Sequence, residues 1–431
     1  MASRKVIINK TEYDLNSNKV IGFTFFNKSN YLQKAISPIG VDLLYFGLAI
    51  CLADRKIMRS DSQDGWTRDL ELVIPVIEID KWERNNDKIV KMLNFLSGDR
   101  WTINYVKADL LIKPFKQQRC IKKTILGENE EIDISMLSAG LDSYIGAIDL
   151  CQDKKKTIFV NIHSGGNSYV KDFMKVRDSL ASEYNIQNPD QYFFTFGVTP
   201  KKGGKEMENT TRARSLLFFT HALALSTCFN NVKRLIIPEN GTISLNVPLT
   251  MGRYGSSSTR TTHPYYLNLL REIIHDMGID LEIVNPYQFM TKGEMILKCK
   301  NGDFLRKNIT LTMSCSHPAS GRYAKRGLGH CGLCLPCIIR KAAEYKAYNL
   351  LVTKYTDLDL KDDFKETREN QSTIRCFKYR MTQIKHSNVY IDIQKNGILI
   401  GKLDEYANLY KRSIDEIRLL IDKYYPIKEQ Q

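Results

Sequence analysis

The sequence has no apolar run long enough to cross a bilayer. Its most apolar stretch, LLYFGLAICLA at residues 43–53, reads as a buried helix with Asp42 placed to cap it. It also lacks a secretory leader pattern. MASRKVIINK passes straight into a strand-like run, and a cytoplasmic protein is the expectation. Internal repeats and low-complexity segments are absent, which argues against a solenoid or a linker-like chain. Tryptophan is scarce, and Trp66, Trp82 and Trp101 read as packing residues. Negative charge is in the minority: 63 Lys and Arg stand against 48 Asp and Glu, a net charge of +15. That balance suits an anionic partner such as a nucleotide, a nucleic acid or an acidic protein. The densest basic runs, residues 154–156 and Lys201, Lys202 and Lys205, read as solvated surface. Six of the ten cysteines (Cys51, Cys120, Cys151, Cys228, Cys299 and Cys376) are scattered, and no disulfide framework is expected.

What is present begins at residues 131–148, EIDISMLSAGLDSYIGAI. Ile132, Ile134 and Met136 alternate with Asp133 and Ser135, which is strand periodicity. A small-residue turn follows, SAGLDS at 138–143, where Gly140 would permit a positive φ and Asp142 and Ser143 would cap a helix. Strand, small loop and helix start together make an anion site, because free N–H groups and the helix dipole face one spot. An ordinary βα turn is the alternative.

The length allows two or three domains. Residues 1–125 hold strand-like runs at 5–8, 70–79 and 101–106 and helical runs at 41–53 and 87–96, an α+β region. From about 130 to 300 the chain alternates. Strand candidates lie at 133–137, 157–163, 191–198, 234–239 and 281–284. Helical stretches lie at 143–151, 169–184, 212–229 and 265–277. Alternating βα units imply a parallel sheet with ligands at the carboxyl ends of its strands. Residues 238–264, PENGTISLNVPLTMGRYGSSSTRTTHP, interrupt the pattern. Arg253, Arg260 and His263 there would meet an anionic substrate, unless the segment is a plain surface loop. From 352 to 431 the chain reads as a polar, helical appendage. Leu403, Tyr406, Leu409 and Tyr410 fit one face, and Ile414, Ile417, Leu420 and Ile421 another.

The remaining cysteines are Cys315 and the C-x2-C-x2-C set Cys331, Cys334 and Cys337. Four thiolates with tight turns near Gly332 and Pro336 suit a closed, structural zinc site. An iron–sulfur cluster, a ligand set using His317 or His330, and buried free thiols are the rivals.

Taken in order, these segments resemble the QueC family, the 7-cyano-7-deazaguanine synthases of the PP-loop ATP pyrophosphatases. SAGLDS stands at the PP-loop position. RARSLLFFTHALAL, at 212–225, resembles the family's arginine-led helix with Arg214 as its arginine. NPYQFMTKGEMI, at 285–296, carries Lys292 in its Thr-Lys pair, and SC…CGLCLPCIIRKA resembles the zinc segment. The likeness covers roughly residues 130–350. Ala139 stands where the family usually has glycine, and ENGTISLN replaces the usual substrate loop. A long chain with ENG and TRTTHP resembles the QueC-like subgroup of bacterial anti-phage cassettes, the QatC type of the Qat system and its counterpart in type IV CBASS.

The resemblance implies an α/β fold. A parallel-sheet PP-loop domain (HUP-like, adenine nucleotide alpha hydrolase) would span 126–351, with its zinc segment at 315–337, flanked by accessory regions at 1–125 and 352–431. It implies an AMP- and pyrophosphate-forming carbon–nitrogen ligase that uses ATP, Mg²⁺ and Zn²⁺. Ser138, Ala139, Gly140, Leu141, Asp142 and Ser143 would hold ATP. Asp142, Ser143, Arg214 and Lys292 would be catalytic. Glu239, Asn240, Arg253, Arg260 and His263 would meet a deazapurine carboxylate, and Cys315, Cys331, Cys334 and Cys337 would bind zinc. The amine acceptor would be ammonia or a group on a partner protein of the same cassette. A tRNA-modifying PP-loop ligase, with nucleic acid as partner, and an inactive PP-loop scaffold are the alternatives.

Overall fold

The computed structural model describes residues 4–108, 126–127, 129–163, 167–203, 206–210, 212–249, 260–319, 328–356, 372–384 and 386–426. The chain opens with strands β1 (Lys5–Ile8), β2 (Thr11–Asp14) and β3 (Ile21–Phe23). Helix α1 (Pro38–Lys56), β4 (Asp69–Val76), helices α2 (Ile79–Arg84) and α3 (Asn86–Ser97), and β5 (Arg100–Lys107) follow. The alternating part runs β6 (Ile132–Met136), α4 (Leu141–Gln152), β7 (Thr157–His163), α5 (Asn167–Glu183), β8 (Phe193–Pro200), α6 (Arg214–Ser226), β9 (Val232–Ile236), α7 (Gly241–Leu245), α8 (Pro264–Asp276) and β10 (Glu282–Val284). The helices that follow are α9 (Lys292–Lys298), α10 (Gly302–Asn308), α11 (Leu335–Tyr348), α12 (Ser372–Gln383), α13 (Val389–Gln394) and α14 (Leu403–Tyr424).

Two sheets result. β2, β1, β4 and β5 form one; the other runs β10-β9-β6-β7-β8-β3. In the second sheet β6 pairs in parallel with both β7 and β9, Ile134 lying opposite Ile158 on one side and Leu235 on the other. The chain steps outward from β6 through β7 to β8, then returns to lay β9 on the opposite flank. The connections therefore diverge between β6 and β9, which opens a crevice at their carboxyl ends. β6 is buried along its whole length, and its Asp133 is neutralised by Arg234 of β9 at 2.9 Å.

The N-terminal region is tied into this sheet. β3 pairs antiparallel with β8, Ile21 opposite Pro200 and Phe23 opposite Val198. Helix α1 lies on α6 at close range. A Cβ on Gly47 would come 2.0 Å from Thr220 Oγ1, and one on Gly40 would come 2.3 Å from Thr227 Oγ1, so only glycine admits the approach. One apolar core accordingly runs from Val6 and Leu72 through α1 to Ile134 and Phe194. Asp42 is not the cap of α1. Ser37 is, accepting from Gly40 N, while Asp42 sits inside the helix and accepts from Ile77 N at 2.8 Å and Glu78 N at 2.9 Å. Trp82 and Trp101 are buried, and the Trp66 ring lies 5.0 Å from the Arg59 guanidinium and 4.5 Å from that of Arg212.

The C-terminal helices bury a separate core around Leu245, Ile338, Ile393 and Leu420. The two apolar faces expected of α14 are one: Tyr406, Leu409, Tyr410, Ile414, Ile417, Leu420 and Ile421 are all buried. No helix among the described residues is long and apolar enough to cross a membrane.

Candidate functional site

SAGLDS occupies the crevice end of β6. The residue with positive φ is Ala139, at 60°, and not Gly140, whose φ is −79°. Gly140 is the N-cap of α4 and offers no capping side chain, so Asp142 and Ser143 belong to the first turn. Ser143 folds the loop back on itself. Its Oγ donates to Gly140 O at 3.0 Å, accepts from Ser138 N at 3.1 Å and lies 3.2 Å from Ser138 Oγ. The Asp142 and Ser143 N–H groups have no acceptor among the described residues, and that of Leu141 has only Ser314 Oγ at 3.5 Å. An anion placed here would meet free donors and the positive end of a twelve-residue helix.

Asp142 does not turn back to these amides. Its carboxylate crosses the crevice, with Lys292 Nζ at 2.9 Å from Oδ1 and Asn240 Nδ2 at 2.6 Å from Oδ2. The Asn240 backbone N–H donates to the same Oδ2 at 3.2 Å. Asn240 follows β9, and its Nδ2 also reaches Glu239 Oε1 at 3.3 Å. Burial raises the Asp142 carboxyl, but the Lys292 charge and the donated hydrogen bonds outweigh it and hold the group below its ordinary value. Glu239 goes the other way: burial, and then the charge of Asp142, push it well above the usual carboxylate range. The cluster thus sets one carboxyl whose pKa is lowered against Lys292, with a second carboxyl whose pKa is raised beside them. The two Asn240 donors both go to Oδ2, and Oδ1 is left with the Lys292 ion pair and no hydrogen-bond partner among the described residues.

Arg214 is the first residue of α6, and its guanidinium lies 5.4 Å from the Phe218 ring. It acts on His163, the last residue of β7. Burial and then the Arg214 charge lower that imidazole, and its Nδ1 has no hydrogen-bond partner among the described residues. Sequence reasoning missed His163; its place at the carboxyl end of a buried strand was the available signal. Arg260 and His263 go elsewhere. Arg260 donates to Phe95 O at 2.8 Å and Asn396 Oδ1 at 3.1 Å. His263 caps α8 by accepting from Tyr265 N, and its buried ring packs 5.1 Å from Phe95. Arg253 lies outside the described residues.

Cys315, Cys331, Cys334 and Cys337 converge, their sulfurs all within 4.8 Å of one another. Cys315 and Cys334 are 3.9 Å apart, as are Cys331 and Cys337. A tetrahedral ion with metal–sulfur bonds of about 2.3 Å spaces its sulfurs by about 3.8 Å. Backbone N–H groups of His317 and Cys331 point at Cys315 Sγ, both at 3.3 Å, as donors to a thiolate would. The group could hold one metal ion such as zinc, and it is too compact to spread over the several irons of a cluster. His330 is otherwise engaged, its Nε2 accepting from Ser314 N at 3.1 Å.

This cysteine segment also braces the loop. Met313 N donates to Ala139 O at 2.9 Å. Arg340, fully buried one turn beyond Cys337, donates to Thr312 Oγ1 at 2.9 Å, Ser314 Oγ at 3.3 Å and Ile309 O at 2.8 Å. No protein-family model matches the chain, and no curated protein sequence matches it.

Proposed function

We propose that this protein is an ATP-dependent carbon–nitrogen ligase of the PP-loop type, akin to the QueC-like proteins of anti-phage cassettes. It adenylates a 7-deazapurine carboxylate, resembling 7-carboxy-7-deazaguanine, and passes the acyl group to an amine. The observation that carries this reading is the pairing of unoccupied N–H donors at the start of α4 with the buried Asp142–Lys292 ion pair, at the point where the sheet's connections diverge.

In the first step a carboxylate oxygen attacks the α-phosphorus of ATP. The bond from that phosphorus to the bridging oxygen breaks, and pyrophosphate leaves with the electron pair. The Asp142 and Ser143 N–H groups and the Ser138 hydroxyl hold the departing anion. Arg214 and Lys292 offset its charge. In the second step an amine nitrogen attacks the acyl carbon, AMP leaves with its oxygen, and the amine proton goes to solvent or a nearby base. Ammonia or an amine of a partner protein serves as acceptor. Mg²⁺ accompanies ATP, and Zn²⁺ in the four-cysteine group keeps the cysteine segment closed against the loop.

The test is AMP and pyrophosphate release from ATP, with and without 7-carboxy-7-deazaguanine. Carboxylate-dependent AMP supports the reading. No turnover of ATP by the folded, zinc-loaded protein would sink it in favour of a scaffold. Salt-sensitive retention of tRNA, the outcome that the net charge of +15 allows, would redirect it to a tRNA ligase. Intact-mass spectra of cassette proteins incubated with the enzyme and both substrates identify a protein acceptor.

A further inference from the structure

Lys292 is held in place from the far end of the chain. It is the first residue of α9, and both of its neighbours are bonded to one carboxylate, that of Glu416 on α14. Glu416 Oε2 accepts from Thr291 Oγ1 at 2.5 Å, and Oε1 accepts from Gly293 N at 3.0 Å. A Cβ on Gly293 would stand 2.7 Å from Oε2, so a residue with a side chain could not admit the carboxylate this close. Lys346 Nζ on α11 lies 3.2 Å from Oε2 and balances its charge. Glu416 itself is 4% exposed.

This contact is not needed to start the helix. α9 already has a complete local cap, Thr291 Oγ1 accepting from Glu294 N and Glu294 Oε2 from Thr291 N. A buried carboxylate carries a desolvation cost, and what it adds here is a fixed backbone on both sides of Lys292. The same face of α14 reaches the other partner of Asp142. Ser413 Oγ lies 2.6 Å from Thr242 Oγ1 on α7, the short helix that Asn240 caps through Ile243 N. A Cβ on Gly241 would come 2.4 Å from Leu409 Cδ2.

We propose that Glu416 is a positioning residue for Lys292, and that α14 is a working part of the loop site, holding the two segments that grip Asp142. The rate arm of the test below rests on the adenylation reading; the labelling arm does not.

Glu416→Ala and the milder Glu416→Gln are compared with wild type. Brief treatment with acetic anhydride, read by peptide mass spectrometry, reports the accessibility of Lys292 against that of Lys341, a fully buried lysine on α11. Lys292 acetylation is expected to rise in Glu416→Ala while that of Lys341 stays low, with Glu416→Gln in between. Carboxylate-dependent AMP formation is expected to fall about a hundredfold in kcat, the scale of a misplaced catalytic group, with KM for ATP little changed and partial rescue by glutamine. Unchanged Lys292 labelling in both variants overturns the proposal. So does a parallel rise at Lys292 and Lys341, because α14 would then be only a general prop. Should wild type not turn over ATP, the labelling pattern still decides.

Discussion

The starts of α4 and α9 meet at the Asp142–Lys292 ion pair, yet they are finished in opposite ways. At α9 every available device is used: a capping box, a buried carboxylate from α14 and a lysine to balance it. At α4 the cap is a glycine, the acidic residue of the first turn points away, and N–H groups are left without acceptors. A helix start closed by the protein is part of the frame. One left open beside a braced loop is a place for an anion.

Depriving the four-cysteine group of metal is the harshest way to break this contrast. The cysteine segment supplies the Met313 bond to Ala139 and the Ser314 contact to Leu141. Chelation at neutral pH is therefore expected to abolish carboxylate-dependent AMP formation. Amide hydrogen exchange should rise at residues 138–143 and stay low at 291–295, so equal exposure of both ends would show that they are not separately held.

Asp142→Ala comes next. It leaves Lys292 buried without its partner, and a loss of about 3 kcal/mol is expected in urea unfolding, together with loss of AMP formation. Thr291→Ala tests the closed end. Losing this cap should lower stability by about 1–2 kcal/mol yet leave nucleotide affinity, measured by calorimetry, near wild type. A large loss of affinity with little change in stability would reverse the assignment of the two ends.

The same cluster predicts a pH signature. Asp142 has a lowered pKa, so its contribution to stability is present above the unfolded carboxyl range and is lost as pH falls through the folded value. Glu239 has a raised pKa, so its contribution is full below the unfolded range and is lost as pH rises through the folded value. Glu239→Gln should reduce the fall on the rising side, to which the raised carboxyls of Asp42 and Glu416 also contribute, and keep the fall in acid, read from urea midpoints across pH. The smallest effect belongs to Ala139, whose φ of 60° strains a residue with a Cβ. Ala139→Gly should stabilise by about 0.5 kcal/mol, strain relief set against the freer unfolded chain, without loss of activity.

Much of the frame was legible in the sequence because its signals are local. The alternation around Ile132, Ile134 and Met136 marks β6, and the C-x2-C-x2-C spacing brings Cys331, Cys334 and Cys337 together. What was not legible depends on distant partners. Asp42 looks like a cap until Ile77 and Glu78 claim its carboxylate. Arg260 and His263 look free until Phe95 covers them. The positive φ went to Ala139 and not to its glycine neighbour, because Gly140 became the cap of α4. The partners of Asp142 come from two other segments that no spacing rule links to SAGLDS; Lys292, Glu239 and Asn240 entered as site residues through the family resemblance alone.

A ribosome releases α1 long before it makes α6. At elongation rates of about 5–20 residues per second the wait between Lys56 and Arg214 is on the order of ten seconds. For that time the apolar side of α1 destined for α6 has no cover, and Gly40 and Gly47 leave notches whose matching threonines do not yet exist. β3 waits likewise for β8. A chain truncated before α6 would emerge as a client for chaperones and proteases and not as a small copy of the N-terminal half.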